Sequence, residues 1–212
     1  LWLCLAGALD PQHELSIMWT HVWTGAAPAL SDAVDVGGGN ERKNEQNGCL
    51  SKYELPQGAS FPFYGMPKSA GKSRILIQRE SHKSLFDQVD CMIRAYRDSR
   101  KESERGVILL GSPGIGKSFT LNNLFLRHAR DGHAIVCDRM QEDERERFAC
   151  FFPPVGTKPG YVLLSPHSPS EAMKNQNTLY LFDPPQSGSG DARHNSAFMI
   201  IASSPAAKNY NN

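Results

Sequence analysis

Residues 111–118 read Gly111-Ser112-Pro113-Gly114-Ile115-Gly116-Lys117-Ser118 and fit G-x-x-x-x-G-K-[ST] at every fixed position. Such a segment constrains the fold because it works only between a strand and a helix. Both flanks comply. Gly106–Leu110 (GVILL) is a continuous apolar run, of the kind expected for a strand buried on both faces. From about Lys117 to Arg130, Phe119, Leu121, Leu124, Phe125 and His128 recur on the inner side of a helix, and Gly132 is placed to end it.

Each residue type in the loop has a physical task. Glycines permit positive φ and a close backbone approach that larger residues forbid. Successive N–H groups and the helix N-terminus can then point at phosphate oxygens. The expected ligands are a nucleoside triphosphate, ATP, and Mg2+. Residues Gly111, Ser112, Pro113, Gly114, Ile115, Gly116, Lys117, Ser118 and Phe119 form the expected nucleotide-binding set. Lys117 reaches the β- and γ-phosphates, and the Ser118 hydroxyl ligates magnesium. Ser69-Ala70-Gly71-Lys72-Ser73 also ends in Gly-Lys-Ser, but Met66 stands where the leading glycine belongs and no apolar strand precedes it.

A phosphate loop needs an acid at the tip of a neighbouring strand. Leu179-Tyr180-Leu181-Phe182-Asp183 is an apolar run ending in Asp, and Pro184-Pro185 then stops the strand. Asp183 is the expected Walker B carboxylate and second magnesium ligand, with a strand-end turn residue as the plainer alternative. Fast ATPases often place a Glu base next; this chain has Pro184, leaving Asp191 or Glu171 to approach in space. Phe198–Ala202 runs into Ser203-Ser204-Pro205. Ser203 or Ser204 suits a γ-phosphate sensor, Ser204 being the assigned one; a serine-rich loop is the bland alternative. The catalytic set expected is therefore Lys117, Asp183 and Ser204.

Strand-like runs at 75–78, 106–110, 134–137, 148–152, 161–164, 178–182 and 198–202 alternate with helical patterns, one of them over Ser84–Arg100. That alternation predicts an α/β fold with a mainly parallel sheet. Residues 141–147 (QEDERER) read as a solvated helical face or loop. Three regions follow: a small N-terminal segment at 1–36, a linker or loop at 37–73, and the P-loop domain at 74–212. Leu1–Leu9 reads as a buried strand in a chain whose true start is missing, with the tail of a signal peptide as the alternative.

A net charge of +1 gives no warrant for a strongly basic nucleic-acid binder. Five scattered cysteines without a Cys-x-x-Cys pair imply reduced thiols in a reducing intracellular compartment. His128 and His133 straddle the expected helix end, so they are not expected to share a face, and the histidines show no zinc-ligand spacing. No apolar run approaches the roughly 20 residues of a membrane span, so no membrane partner is expected.

The segments VILLGSPGIGKS, TLYLFDPP and FMIIASSPAAKNYNN, with the lead-in ILIQRESHKSLF, resemble the P-loop domain of Crinkler effectors of oomycetes. The related retrotransposon hot spot proteins of trypanosomes look similar. The similarity covers about Arg74 to Asn212. It implies a P-loop NTPase three-layer sandwich, incomplete at the C-terminus, in which further helical and nuclease-like regions normally follow. It also implies a secreted effector that acts inside a host cell, often in the nucleus, on a protein or nucleic-acid target. The leading expectation is an ATP-binding, ATP-hydrolysing regulatory module. The alternatives are a non-catalytic nucleotide-stabilised interaction module and a small-molecule or nucleotide kinase.

Overall fold

Strand side chains alternate between two faces, so a covered sheet needs apolar residues at both parities. The central strands of this chain supply them. The computed structural model describes residues 7–8, 10, 12–23, 51–63, 75–99, 101–112, 114–140, 147–154, 163–165, 170–184 and 196–203. In chain order the elements are β1 (Gly7–Ala8), α1 (Glu14–Trp23), β2 (Ser51–Glu54), β3 (Ile75–Gln78), α2 (Glu80–Ser99), β4 (Gly106–Leu110), α3 (Lys117–Arg130), β5 (Ala134–Met140), β6 (Arg147–Phe152), β7 (Leu163–Ser165), α4 (Ser170–Lys174), β8 (Thr178–Asp183) and β9 (Phe198–Ser203).

The main sheet has seven strands in the order β1-β7-β6-β5-β8-β9-β4. Its β5-β8-β9-β4 block is parallel. The β6, β7 and β1 flank is antiparallel. The fold is α/β, and the expected parallel sheet is a four-strand block within a mixed one. β9 lies between β4, which carries the loop, and β8, which ends in Asp183.

One face carries Ile135, Cys137, Leu179, Leu181, Phe198, Ile200 and Ala202, packed with residues of α1, α2 and α3 into the larger core. The opposite face carries Val136, Tyr180 and Phe182, which pack with Met173 of α4. Helices thus lie on both sides of the sheet. α3 is buried almost all round, including Asn122 and Asn123, because α1, β3 and the sheet enclose it.

Several expectations change. β4 is not buried on both faces: Leu109 is 8% exposed, while Ile108 and Leu110 are 52% and 60% exposed. It pairs only with β9 among the described residues, and nothing described covers its second face. Part of the segment read as a linker is structural. Ser51–Glu54 pairs antiparallel with β3, and Tyr53, Leu55, Ala59, Phe61 and Phe63 are buried. The Phe63 N–H donates to Asn122 Oδ1 at 3.2 Å, which ties this segment to α3. Arg147, read into a solvated stretch, starts β6, whereas residues 141–146 lie outside the described ones. α1 packs onto α3 through Trp19, whose ring centroid lies 6.1 Å from that of Phe125. Among the described residues, no helix is long and apolar enough to cross a membrane.

Candidate functional site

The loop leaves β4 at the carboxyl edge of the parallel block and enters α3 at Lys117. Gly114 and Gly116 take φ of +78° and +95°, as the motif requires. At Gly111, whose φ is not positive, a Cβ would lie 2.9 Å from the Cγ2 of the exposed Ile115 side chain. Gly116 is the N-cap of α3 and supplies no side-chain cap, and no acid occupies the first turn. The first N–H groups of α3 are therefore not taken by a capping side chain and suit an anion. The Lys117 ammonium folds back over the loop, donating to the carbonyls of Gly111 at 2.7 Å and Ser112 at 3.0 Å.

Strand alternation carries the acid to the same place. Leu179, Leu181 and Asp183 share the α3 side of β8, and Ser118 is the second residue of α3. The Ser118 hydroxyl and the Lys117 charge both lie close enough to act on the Asp183 carboxyl. Burial pushes the Asp183 carboxyl above its ordinary value, opposed by the nearby Ser118 hydroxyl and the Lys117 charge. A serine hydroxyl and a carboxylate are hard oxygen donors, the kind Mg2+ takes alongside water and phosphate oxygens. The donor set fits that ion.

The strand register aligns the rest of the edge. Leu110 pairs with Ser203, and Ile201 with Phe182, so β4, β9 and β8 end within a residue of one another. Ser203 is 7% exposed, and alternation puts it with Met199 and Ile201, on the face away from α3. Ser204, Pro113 and Asp191 lie outside the described residues. The Phe119 side chain packs against the larger core, which leaves its backbone N–H as its possible contribution to a phosphate. Glu171 belongs to α4, which packs on β8.

A kinase would need arginines over its acceptor, but Arg127 and Arg130 sit at the far end of α3. Arg127 donates from Nε to Asp90 Oδ2 at 3.0 Å and also reaches Asp87 at 3.4 Å. The Arg130 guanidinium lies 5.2 Å from the Tyr53 ring centroid.

That end of α3 also corrects the reading of His128 and His133. Their ring centroids lie 5.5 Å apart. The helix closes with Gly132 N–H donating to Ala129 O at 3.1 Å and His133 N–H to His128 O at 3.0 Å, with Gly132 at φ +77°. Those two bonds make a Schellman motif, which folds the residue after the glycine back over the last helical turn. Gly132 was the available signal, since the motif pairs the residues that flank it at this spacing. A second pair that the sequence did not announce is Tyr180 and Asp138. The Tyr180 hydroxyl donates to Asp138 Oδ2 at 2.6 Å, and both residues are fully buried.

Compared with protein-family models, with curated proteins and with solved structures, the chain gives no match in any of the three.

Proposed function

We propose that the chain binds ATP with Mg2+ at the 111–118 loop and hydrolyses it as a regulatory module. One observation carries the proposal: the Ser118 hydroxyl and the Asp183 carboxyl, drawn from separate elements, come together beside Lys117. Bound Mg2+ would neutralise charge that builds on the phosphate oxygens during transfer. Lys117, released from the Gly111 and Ser112 carbonyls, exchanges those acceptors for β- and γ-phosphate oxygens. The amides that follow Gly116 hold the phosphates in line with an attacking water. Ser118 and Asp183 are the groups that hold the ion, and Ser204 is the proposed γ-phosphate sensor. With Pro184 after the acid, the base for the water comes from elsewhere or turnover is slow.

The resemblance to Crinkler effectors extends the proposal to a secreted protein working in the reducing interior of a host cell, nucleus included. Its target there is a protein or nucleic acid. Cys137 and Cys150 face each other across β5 and β6. Pro184 favours the second reading, a nucleotide-stabilised interaction module without turnover.

The test is equilibrium binding of ATP and of GTP to wild type and Lys117→Ala, each with and without Mg2+. Magnesium-dependent binding lost in Lys117→Ala supports the site; unchanged affinity removes it. Phosphate release by the purified chain then separates a hydrolase from a silent binder.

A further inference from the structure

α3 has a second end, and its chemistry is different. A ring nitrogen of His128, a ring nitrogen of His133 and a carboxylate oxygen of Asp131 all lie within 4.8 Å of one another. We propose that this cluster binds a divalent transition ion of the zinc type, at a site separate from the magnesium ligands. α3 spans 14 residues, so about 20 Å of helix separates the cluster from the phosphate loop.

The geometry comes from the turn. His128, Asp131 and His133 are the third-last residue of α3, its C-cap and the residue after Gly132. The two backbone bonds of the Schellman motif hold them on one side of the helix end before any ion arrives. Such preorganisation lowers the ordering cost of binding. Two imidazoles and a carboxylate are a borderline-soft set that suits zinc and its neighbours better than Mg2+ or Ca2+.

His128 supplies the independent observation. It is 2% exposed, and neither ring nitrogen has a hydrogen-bond partner. A buried polar atom left bare is costly, and a metal bond to one of these nitrogens would remove that cost. Asp90 Oδ1 is also without a hydrogen-bond partner and lies 3.5 Å from His128 Nε2. Metal-bound histidines commonly face such a carboxylate through their other nitrogen. The carbonyl end of α3 carries the negative pole of the helix dipole, which favours a cation.

Arg97 opposes one. Its guanidinium nitrogens lie 3.4 Å from the two ring nitrogens of His133. A separate hydrogen bond from Arg97 to the Asn177 carbonyl, at 3.2 Å, keeps that side chain anchored if His133 turns toward an ion. The neighbouring Arg127 charge is already met by Asp87 and Asp90. Asp131 is exposed, so a bound ion would keep a position open to water or a further ligand.

The experiment is a calorimetric titration of the full chain with Zn2+, free of nucleotide and Mg2+, beside a thermal melt with and without Zn2+. One equivalent should bind and raise Tm. His133→Asn and Asp131→Asn should each weaken binding at least about tenfold. Asp131 is exposed, so its variant decides the matter if His133→Asn does not fold. Replacing Zn2+ with Co2+ should give a tetrahedral or five-coordinate visible spectrum without a thiolate charge-transfer band. Unchanged affinity in Asp131→Asn, or a thiolate band assigning the ion to Cys137 and Cys150, would overturn the proposal.

Discussion

The Ser118 hydroxyl lies beside the Asp183 carboxyl, bringing the start of α3 to the end of β8 at the carboxyl edge of the sheet. Neither residue is near the other in sequence. Their meeting depends on β8 presenting its odd-numbered residues to α3 and on the loop ending at Gly116. Ligands for α/β sheets gather outside the carboxyl ends of the strands, where this pair lies.

Asp183→Asn separates ion binding from folding. Burial disfavours the charged carboxylate, so a neutral amide at this position carries no such penalty. Tm should hold or rise, while the gain in ATP affinity on adding Mg2+ should fall at least about tenfold. Paired melts and binding titrations check both halves. A large loss of Tm would mean that Asp183 is chiefly structural.

Gly111 and Gly116 should respond differently to alanine. At Gly116 a Cβ meets nothing closer than Phe119 Cβ at 3.8 Å, but φ is +95°, so the cost is conformational. Gly116→Ala should destabilise by about 1–2 kcal/mol. At Gly111 the conflict is with the Ile115 side chain, which is 67% exposed and free to turn away. Gly111→Ala should therefore stay within about 0.5 kcal/mol of wild type. Chemical denaturation of the two variants tests the contrast, and equal costs would refute it.

The sequence made α3 legible to its end residues, because a glycine-rich start, a buried stripe and Gly132 all act locally. What it concealed was set by neighbours. GVILL reads the same in a central strand or at an edge, and only the strand order reveals that Ile108 and Leu110 have no described cover. The apolar run of β5 stops at Cys137, yet the strand continues to Met140 because β6 and β8 pair with it on both sides. Asp138 is buried there with the Tyr180 hydroxyl, a pairing across 42 positions that no local pattern encodes. In 51–63 the period-2 run of Tyr53, Leu55, Ala59, Phe61 and Phe63 is interrupted by Pro56 and Gly58, which made it look like a linker. Of the candidate site, Lys117, Ser118 and Asp183 come together as expected, and Ser204 lies outside the described residues.

Trp19 ties the N-terminal helix to the loop-bearing helix. It is fully buried, with ring centroids 5.3 Å from Phe152 and 6.1 Å from Phe125. Trp19→Ala should cost about 3–5 kcal/mol, the range for emptying a large aromatic site. A denaturation midpoint measured by circular dichroism checks this, since the fluorophore is lost. A cost below about 1 kcal/mol would show that α1 packs too loosely to belong to the core, because truncating a well-packed aromatic costs several times that.

The Asp138–Tyr180 bond lies wholly within the core. Its carboxylate sits at zero exposure in the smaller core, and Tyr180 stacks on Phe182 with centroids 6.1 Å apart and planes 9° from parallel. Tyr180→Phe keeps the ring and its stacking and removes only the donor. A buried acceptor left without its donor costs about 1–3 kcal/mol, so the variant should lose an amount in that range. Asp138→Asn and the double variant complete a cycle whose coupling energy should be at least about 0.5 kcal/mol. Phe182 adjoins Asp183 in β8, so Tyr180→Phe should leave magnesium-dependent ATP binding intact if the bond serves folding alone. A variant that melts like wild type would show that the Asp138 carboxylate is satisfied without the hydroxyl.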